Sequence, residues 1–301
     1  MGCECENKKR WLVGVFVSLV LIILLIVGLY YAVFKPFTLD MAPDSVDDKY
    51  DGCTMEMYTK AAKYLQEERN SNSKFNEAWK IAEQKAKSPK RGLNREHSIA
   101  MYLYTNNKPK TKSKSQSFYF HFNKAVKNGK SLYGKTFQYH SLHFYLTDAI
   151  RILKLSQTTC RTTYRRTGTY FDQSVVDKEI RFGSFTSSSQ LKTLYTFGNV
   201  SCFEIKTCFG ANLTYYSAYA NESEVLIPPY EVFKVTEVQK NQWCEVVYKV
   251  ESTRSQSNLN CRLLNGVQSN QRGSFFPFSR ISDKPAGFIM LYFMFIFTVY
   301  Y

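Results

Sequence analysis

The chain has 301 residues, 44% of them hydrophobic, and 40 Lys and Arg against 25 Asp and Glu give it a formal charge of +15. That length holds one large domain or two small ones, and the apolar share is ample for a core, which excludes a chain too polar to fold. The positive charge is not accompanied by any nucleic-acid recognition motif, so no nucleic-acid partner is expected.

The start, Met1-Gly2-Cys3-Glu4-Cys5, suggests lipidation. Glu6 stands where N-myristoylation prefers Ser or Thr, so Cys3 and Cys5 are better read as palmitoylation candidates. Residues 11–34 carry no charge and are long enough for a membrane-crossing helix of ~20 residues. Lys8, Lys9 and Arg10 precede them and are expected to stay cytoplasmic, which exports the rest of the chain. The run exceeds the ~7–15 apolar residues of an ordinary signal peptide. It reads as an uncleaved signal-anchor, with a long cleaved signal as the alternative.

Residues 53–105 have helical spacing, with apolar residues at Tyr58, Ala61, Ala62 and Leu65 and then at Phe75, Ala78, Trp79, Ile81 and Ala82. Residues 106–117 form a polar, lysine-rich loop. Lys108, Lys110, Lys112, Lys114, Lys124, Lys127, Lys130 and Lys135 concentrate charge there and just beyond, as a solvated face or an anion-attracting patch. Residues 118–127 and 141–154 are expected to be helical again. From about residue 160 the chain consists of short β-branched and aromatic segments punctuated by Gly, Asn and Pro, which is strand texture. Helices first and strands later predict an α+β domain. No Gly-x-Gly-x-x-Gly follows a strand, which argues against a Rossmann domain. Residues 287–301 form an uncharged apolar tail behind a short spacer, the pattern of a glycosylphosphatidylinositol-anchor signal.

Cys53, Cys160, Cys202, Cys208, Cys244 and Cys261 lie beyond the first apolar run. An even number in an exported chain suggests disulfides, with fifteen pairings open to six cysteines. His97, His121, His140 and His143 are scattered without metal-ligand spacing, so no metal is expected. Sequons occur at Asn199, Asn212 and Asn221.

Three places in the strand half carry possible chemistry. Arg165, within Tyr164-Arg165-Arg166, is a residue type suited to bidentate phosphate binding. In Phe185-Thr186-Ser187-Ser188-Ser189, strand alternation puts the hydroxyls of Ser187 and Ser189 on one face. In Asn221-Glu222-Ser223-Glu224, a strand would point both carboxylates the same way, ~6–7 Å apart. Two carboxylates in one place take different protonation states and roles, which suits acid–base work or a cationic ligand.

In this order, the three places resemble the Arg, Ser-x-Ser and Glu-x-Glu motifs of the arginine-specific ecto-mono-ADP-ribosyltransferase family. The resemblance extends over roughly residues 38–262, through Leu142-His143-Phe144-Tyr145-Leu146-Thr147, Ile180-Arg181-Phe182-Gly183 and Glu224-Val225-Leu226-Ile227-Pro228-Pro229. It implies a helical N-terminal portion followed by two packed, roughly perpendicular sheets with NAD⁺ in the cleft between them. It also implies pairing of Cys53 with Cys261 and Cys160 with Cys208, which leaves Cys202 for Cys244. By the same resemblance Arg165 binds the NAD⁺ phosphates, Ser187 supports the catalytic glutamate, Glu224 is that glutamate, and Glu222 positions the acceptor guanidinium. The expected enzyme is a monomer tethered to a membrane, with arginine-containing proteins as its substrates. NAD⁺ hydrolysis or a catalytically weak surface module are the alternatives.

Two departures stand out. The family has Gly directly after its motif arginine, where this chain has Arg166, whose side chain either narrows the pocket or points outward. Arg161 and Arg166 are the fallback candidates for the motif position. The Asn221 sequon adjoins Glu222, and on a strand Asn221 would face away from it. Glycosylation is expected at Asn199 and Asn212 and is expected to be poor at Asn221. The expected boundaries are 1–37 for the N-terminal segment, 38–272 for the catalytic domain and 273–301 for the spacer and tail.

Overall fold

The computed structural model of the protein describes residues 36–106 and 117–264, together with Trp11, residues 14–26 and Gly28. Cys3, Cys5, the lysines at 108–114, the boundary at 272 and the apolar tail lie outside the described residues. Residues 14–26 are helical and their apolar side chains are exposed. Among the described residues no helix is long and apolar enough to cross a membrane.

Among the described residues from 36 onward, five α-helices come first: α1 (Thr54–Ser71), α2 (Ser73–Lys85), α3 (Arg95–Thr105), α4 (Phe118–Asn128) and α5 (His140–Lys154). Their boundaries are set by side chains that satisfy the first backbone N–H groups. Asn72 accepts from Phe75 N–H at 3.1 Å to start α2. Asn94 and His97 form a reciprocal capping box on α3. The first turn of α5 is capped from another helix: buried Glu68 of α1 accepts from His140 N–H at 2.6 Å and from Ser141 N–H at 3.1 Å. A carboxylate at a helix N-terminus also complements the helix dipole. The centre of α5 is buried on every side, as befits a helix packed against α1, α3 and the sheet. Of the four histidines, His97, His140 and His143 are buried and hydrogen-bonded, the ordinary role of core histidines.

Eight strands follow: β1 (Arg161–Thr167), β2 (Glu179–Ile180), β3 (Thr186–Ser189), β4 (Ser201–Thr207), β5 (Ala211–Asn212), β6 (Glu224–Ile227), β7 (Glu231–Lys240) and β8 (Val246–Ser255). They hydrogen-bond in the order β2-β7-β8-β4-β1-β3-β6-β5. β4 and β8 pair in parallel, and the other pairs are antiparallel. The seam is between β1 and β3, which meet at one residue pair, Tyr164↔Ser189. The two larger cores lie mainly one on each half, with Ile227 of β6 crossing into the second. Phe185, Ala211 and Leu226 of the β3-β6-β5 side join the helical core, whereas Ile180, Phe203, Phe233 and Tyr248 form a second core on the other side. The two expected sheets are thus halves of one ladder, continuous through a single pairing.

Three disulfides close the domain: Cys53–Cys261, Cys160–Cys208 and Cys202–Cys244. The first spans 208 residues and ties the start of α1 to the chain beyond β8. Bridges over long loops typically stabilise by ~3–5 kcal/mol. A buried ion pair lies near the same closure. Arg181 donates to Asp47 at 2.6 Å and to the carbonyls of Met41, Ala42 and Gln256, while Asp47 accepts from the backbone of Asn258 and Leu259. These bonds sew residues 41–47 to residues 256–259. Removing one partner strands a buried charge, at a typical cost of ~3–5 kcal/mol. Arg181→Ala is therefore expected to lower unfolding free energy by about that much in urea titration. A change under about 0.5 kcal/mol would contradict this account of the closure.

Candidate active site

The three motifs meet at the β1–β3–β6 seam. Arg165 on β1 donates from Nη1 to the carbonyl of Ser187 at 2.6 Å. Ser187 on β3 donates from Oγ to Glu224 Oε1 at 2.6 Å. Glu224 opens β6 and pairs across the ladder with Ser189. A guanidinium on the Ser187 carbonyl and a carboxylate on the Ser187 hydroxyl thus form one hydrogen-bonded line through that residue, brought together by strand pairing between segments far apart in sequence.

Glu224 is 5% exposed. Burial pushes its carboxyl up from the ordinary 4.5 to about 7, and the charge of Glu222 adds to this, while hydrogen bonds from Ser187 and Ser217 and the charge of Arg165 pull it down. The group is held near the point where it is ionised at neutral pH in a site that disfavours negative charge. Such a carboxylate gains by facing positive charge.

Glu222 is placed differently from the strand expectation. Residues Ala220–Glu222 form a 3₁₀ turn, and Ser223 is in the left-handed region, with φ 48° and ψ 48°. The two glutamates therefore do not alternate along one strand. The turn is held from β3: Ser189 Oγ donates to the Glu222 carbonyl at 2.5 Å and accepts from Leu191 N–H at 2.8 Å. Ser187 and Ser189 each serve one glutamate, the first through its carboxylate and the second through its backbone. Asn221 is exposed on the same turn, so the expectation that a strand would direct it away from Glu222 is corrected.

Arg166 points away from this line. Its guanidinium donates to Lys192 O at 2.9 Å and lies over the rings of Tyr195 and Trp243, at 4.5 and 4.8 Å, beside Cys244. Arg166 is itself buried, 7% exposed, and strand alternation turns it to the face of β1 opposite Arg165, among Tyr195, Trp243 and Cys244. Arg161 sits at the far end of β1, paired with Thr207. Of the three arginines, Arg165 is the one that reaches Ser187.

Ser217 was not singled out in the sequence, yet its Oγ donates to Glu224 Oε2 at 3.2 Å. Nothing in the local pattern of Leu213–Tyr219 marks it, because its role depends on a fold-back of the chain.

A family model described as NAD:arginine ADP-ribosyltransferase matches residues 39–257. The chain is 35% identical over 243 residues to ecto-ADP-ribosyltransferase 5 of Homo sapiens, covering 76% of this chain and 81% of that protein. It is 36% identical over 237 residues to T-cell ecto-ADP-ribosyltransferase 1 of Mus musculus, covering 75% and 78%. The crystal structure of the eukaryotic mono-ADP-ribosyltransferase ART2.2 superposes with a TM-score of 0.63 at 35% identity, over 75% of this chain and 99% of that one. A glutamate-to-isoleucine mutant of ART2.2 in complex with NAD gives 0.61 at 33% identity, with the same coverage. An α+β domain with a guanidinium, a hydroxyl and a buried carboxylate aligned at a sheet seam is the class that fold and site define. The chain belongs to the NAD:arginine ADP-ribosyltransferase family.

The Glu224 environment has a measurable consequence for stability. Its folded-state value lies above its ordinary one, so the folded protein holds this proton more tightly than the unfolded chain. Stability from this group therefore falls as pH rises from about 4.5 through about 7, and the penalty is complete above that range. Glu224→Gln is expected to raise stability at pH 8 by up to about 3 kcal/mol and to approach wild type at pH 5. Thermal unfolding at the two pH values checks this, and an equal difference at both would contradict it.

Proposed function

We propose that this chain transfers ADP-ribose from NAD⁺ to arginine side chains of proteins, releasing nicotinamide. The observation that carries the reading is the hydrogen-bonded line from Arg165 through Ser187 to Glu224. Family membership and the NAD complex of ART2.2 support NAD⁺ as the substrate.

In this reading Arg165 binds the pyrophosphate, where a guanidinium offers paired donors to phosphate oxygens. The bond from ribose C1′ to nicotinamide breaks, and nicotinamide leaves with the electron pair. Positive charge develops on the ribose. Glu224 accepts a hydrogen bond from the 2′-hydroxyl and faces that charge, which is electrostatic stabilisation by a preorganised group. A guanidinium nitrogen of the acceptor then attacks C1′ and gives up a proton. Free guanidinium holds that proton with a pKa above ~12, so a partner is needed, and Glu222 positions the group and takes the proton. Water in place of the guanidine gives NAD⁺ hydrolysis, the second outcome of the same cleft. A catalytically weak module is disfavoured because Arg166 directs its guanidinium toward Tyr195 and Trp243.

Disulfides and ecto-enzyme relatives support an extracellular or cell-surface location. We further propose membrane tethering through the N-terminal apolar segment or a lipid exchanged for the C-terminal tail, with residues 38–272 as the catalytic domain. Glycans are proposed at Asn199, which is exposed, and at Asn212, whose amide already donates to Gln190. Asn221 is expected to be sparsely glycosylated in active enzyme, because a glycan on the Glu222 turn would crowd a protein acceptor. Glycopeptide mass spectrometry tests this, and full occupancy in active enzyme would contradict it.

The direct test is transfer of labelled ADP-ribose to agmatine by the disulfide-intact domain. Glu224→Gln is expected to lower both transfer and hydrolysis by ~10²–10³-fold, and Glu222→Gln to suppress transfer while hydrolysis persists. kcat/KM is expected to fall as pH drops below about 7, because the ionised Glu224 is the working form. Undiminished transfer by Glu224→Gln would refute the assignment.

A further inference from the structure

We propose that Ser217 is a positioning residue for the transfer reaction, fixing the plane of the Glu224 carboxylate by holding its second oxygen. This deepens the reading above and rests on it. Ser187 holds Oε1 from β3, and Ser217 holds Oε2 from the loop before β6. The terminal torsion of a glutamate is broad and two-fold, so one hydrogen bond leaves the carboxylate room to swing. Two donors from separate segments remove that freedom. Each carboxylate oxygen accepts more than one bond, so capacity for a ribose hydroxyl remains.

The loop itself is built against Glu224. The N–H groups of Tyr216 and Ser217 both donate to Leu213 O, at 2.7 and 2.8 Å, and Leu213 N–H donates to the carbonyl of Glu224 at 2.8 Å. Helix α3 anchors the loop, because Thr105 Oγ1 accepts from Ala218 N–H at 2.9 Å while donating to Met101 O at 2.9 Å. Both Ser217 and Thr105 are buried. Ser217 Oγ also accepts from Tyr219 N–H at 3.1 Å, and Tyr219 O accepts from Glu222 N–H at 3.0 Å. A single hydroxyl therefore ties the Glu224 side chain to the turn that carries Glu222.

The test is steady-state kinetics of Ser217→Ala, Ser217→Thr and wild type, for agmatine transfer and for NAD⁺ hydrolysis, across pH 5–9. Losing a hydrogen bond to an ionised group should lower kcat about tenfold to a hundredfold. KM for NAD⁺ should stay within about twofold, since Ser217 holds the carboxylate and not the pyrophosphate. The acid limb of kcat/KM should move up by about half a unit to one unit, because the lost donor favours the charged form. Ser217→Thr, which keeps the hydroxyl, should restore both kcat and the limb. A merely structural role would lower the active fraction without moving the limb, so an unmoved limb overturns the proposal whatever happens to kcat. If Ser217→Ala does not fold, Ser217→Cys keeps the size with only a weak donor and is read in the same way. The parent reading fails separately, by activity that survives Glu224→Gln.

Discussion

The rest of the site depends on one buried carboxylate and the hydroxyls that hold it. Glu224 is almost fully removed from solvent, and without Ser187 and Ser217 its charge would face a poorly solvated space. A buried charge is tolerated when it is paired or hydrogen-bonded. Here the hydrogen bonds are only part of the compensation, and the carboxyl remains well above its usual range. The missing compensation is positive charge, which the proposed reaction supplies transiently on the ribose. In the proposed reaction, positive charge growing on the ribose would favour the ionised carboxylate, and an interaction that strengthens in the transition state is where an enzyme gains by differential binding.

The fold serves this constraint in two ways. The single-pair seam between β1 and β3 lets Arg165, on one half of the ladder, reach Ser187 on the other. Helix α3 and its Thr105 brace the loop that delivers Ser217. Rigidity comes from elsewhere: the Cys53–Cys261 bridge, the Arg181–Asp47 pair and the capping of α5 by Glu68 hold helices and strands together at a distance from the seam. Arg166 belongs to this scaffolding. Its place between Tyr195 and Trp243 ties the β3–β4 connection to the Cys202–Cys244 region.

Much of this was legible in the sequence where local chemistry decides local structure. The spacing of Phe75, Trp79 and Ala82 marks the buried face of α2, and the residues expected to form helix over 118–127 do so over Phe118–Asn128. Arg165, Ser187 and Glu224 were visible through a resemblance that joins three motifs, each weak alone. The position of Glu222 was not. A Glu-x-Glu repeat reads as a strand, and only the left-handed backbone of Ser223 turns it into the end of a 3₁₀ turn. Ser217 was invisible because its bond to Glu224 depends on a loop closed by Leu213 and braced from α3, and neither contact leaves a periodic trace.

The most direct test of the central claim is a crystal structure of the disulfide-intact domain with a carba analogue of NAD⁺, which cannot release nicotinamide. The account predicts the pyrophosphate on Arg165 and the ribose 2′-hydroxyl within ~3 Å of Glu224, with both serine bonds retained. A dinucleotide whose ribose lies away from Glu224, or whose phosphates do not meet Arg165, would contradict it.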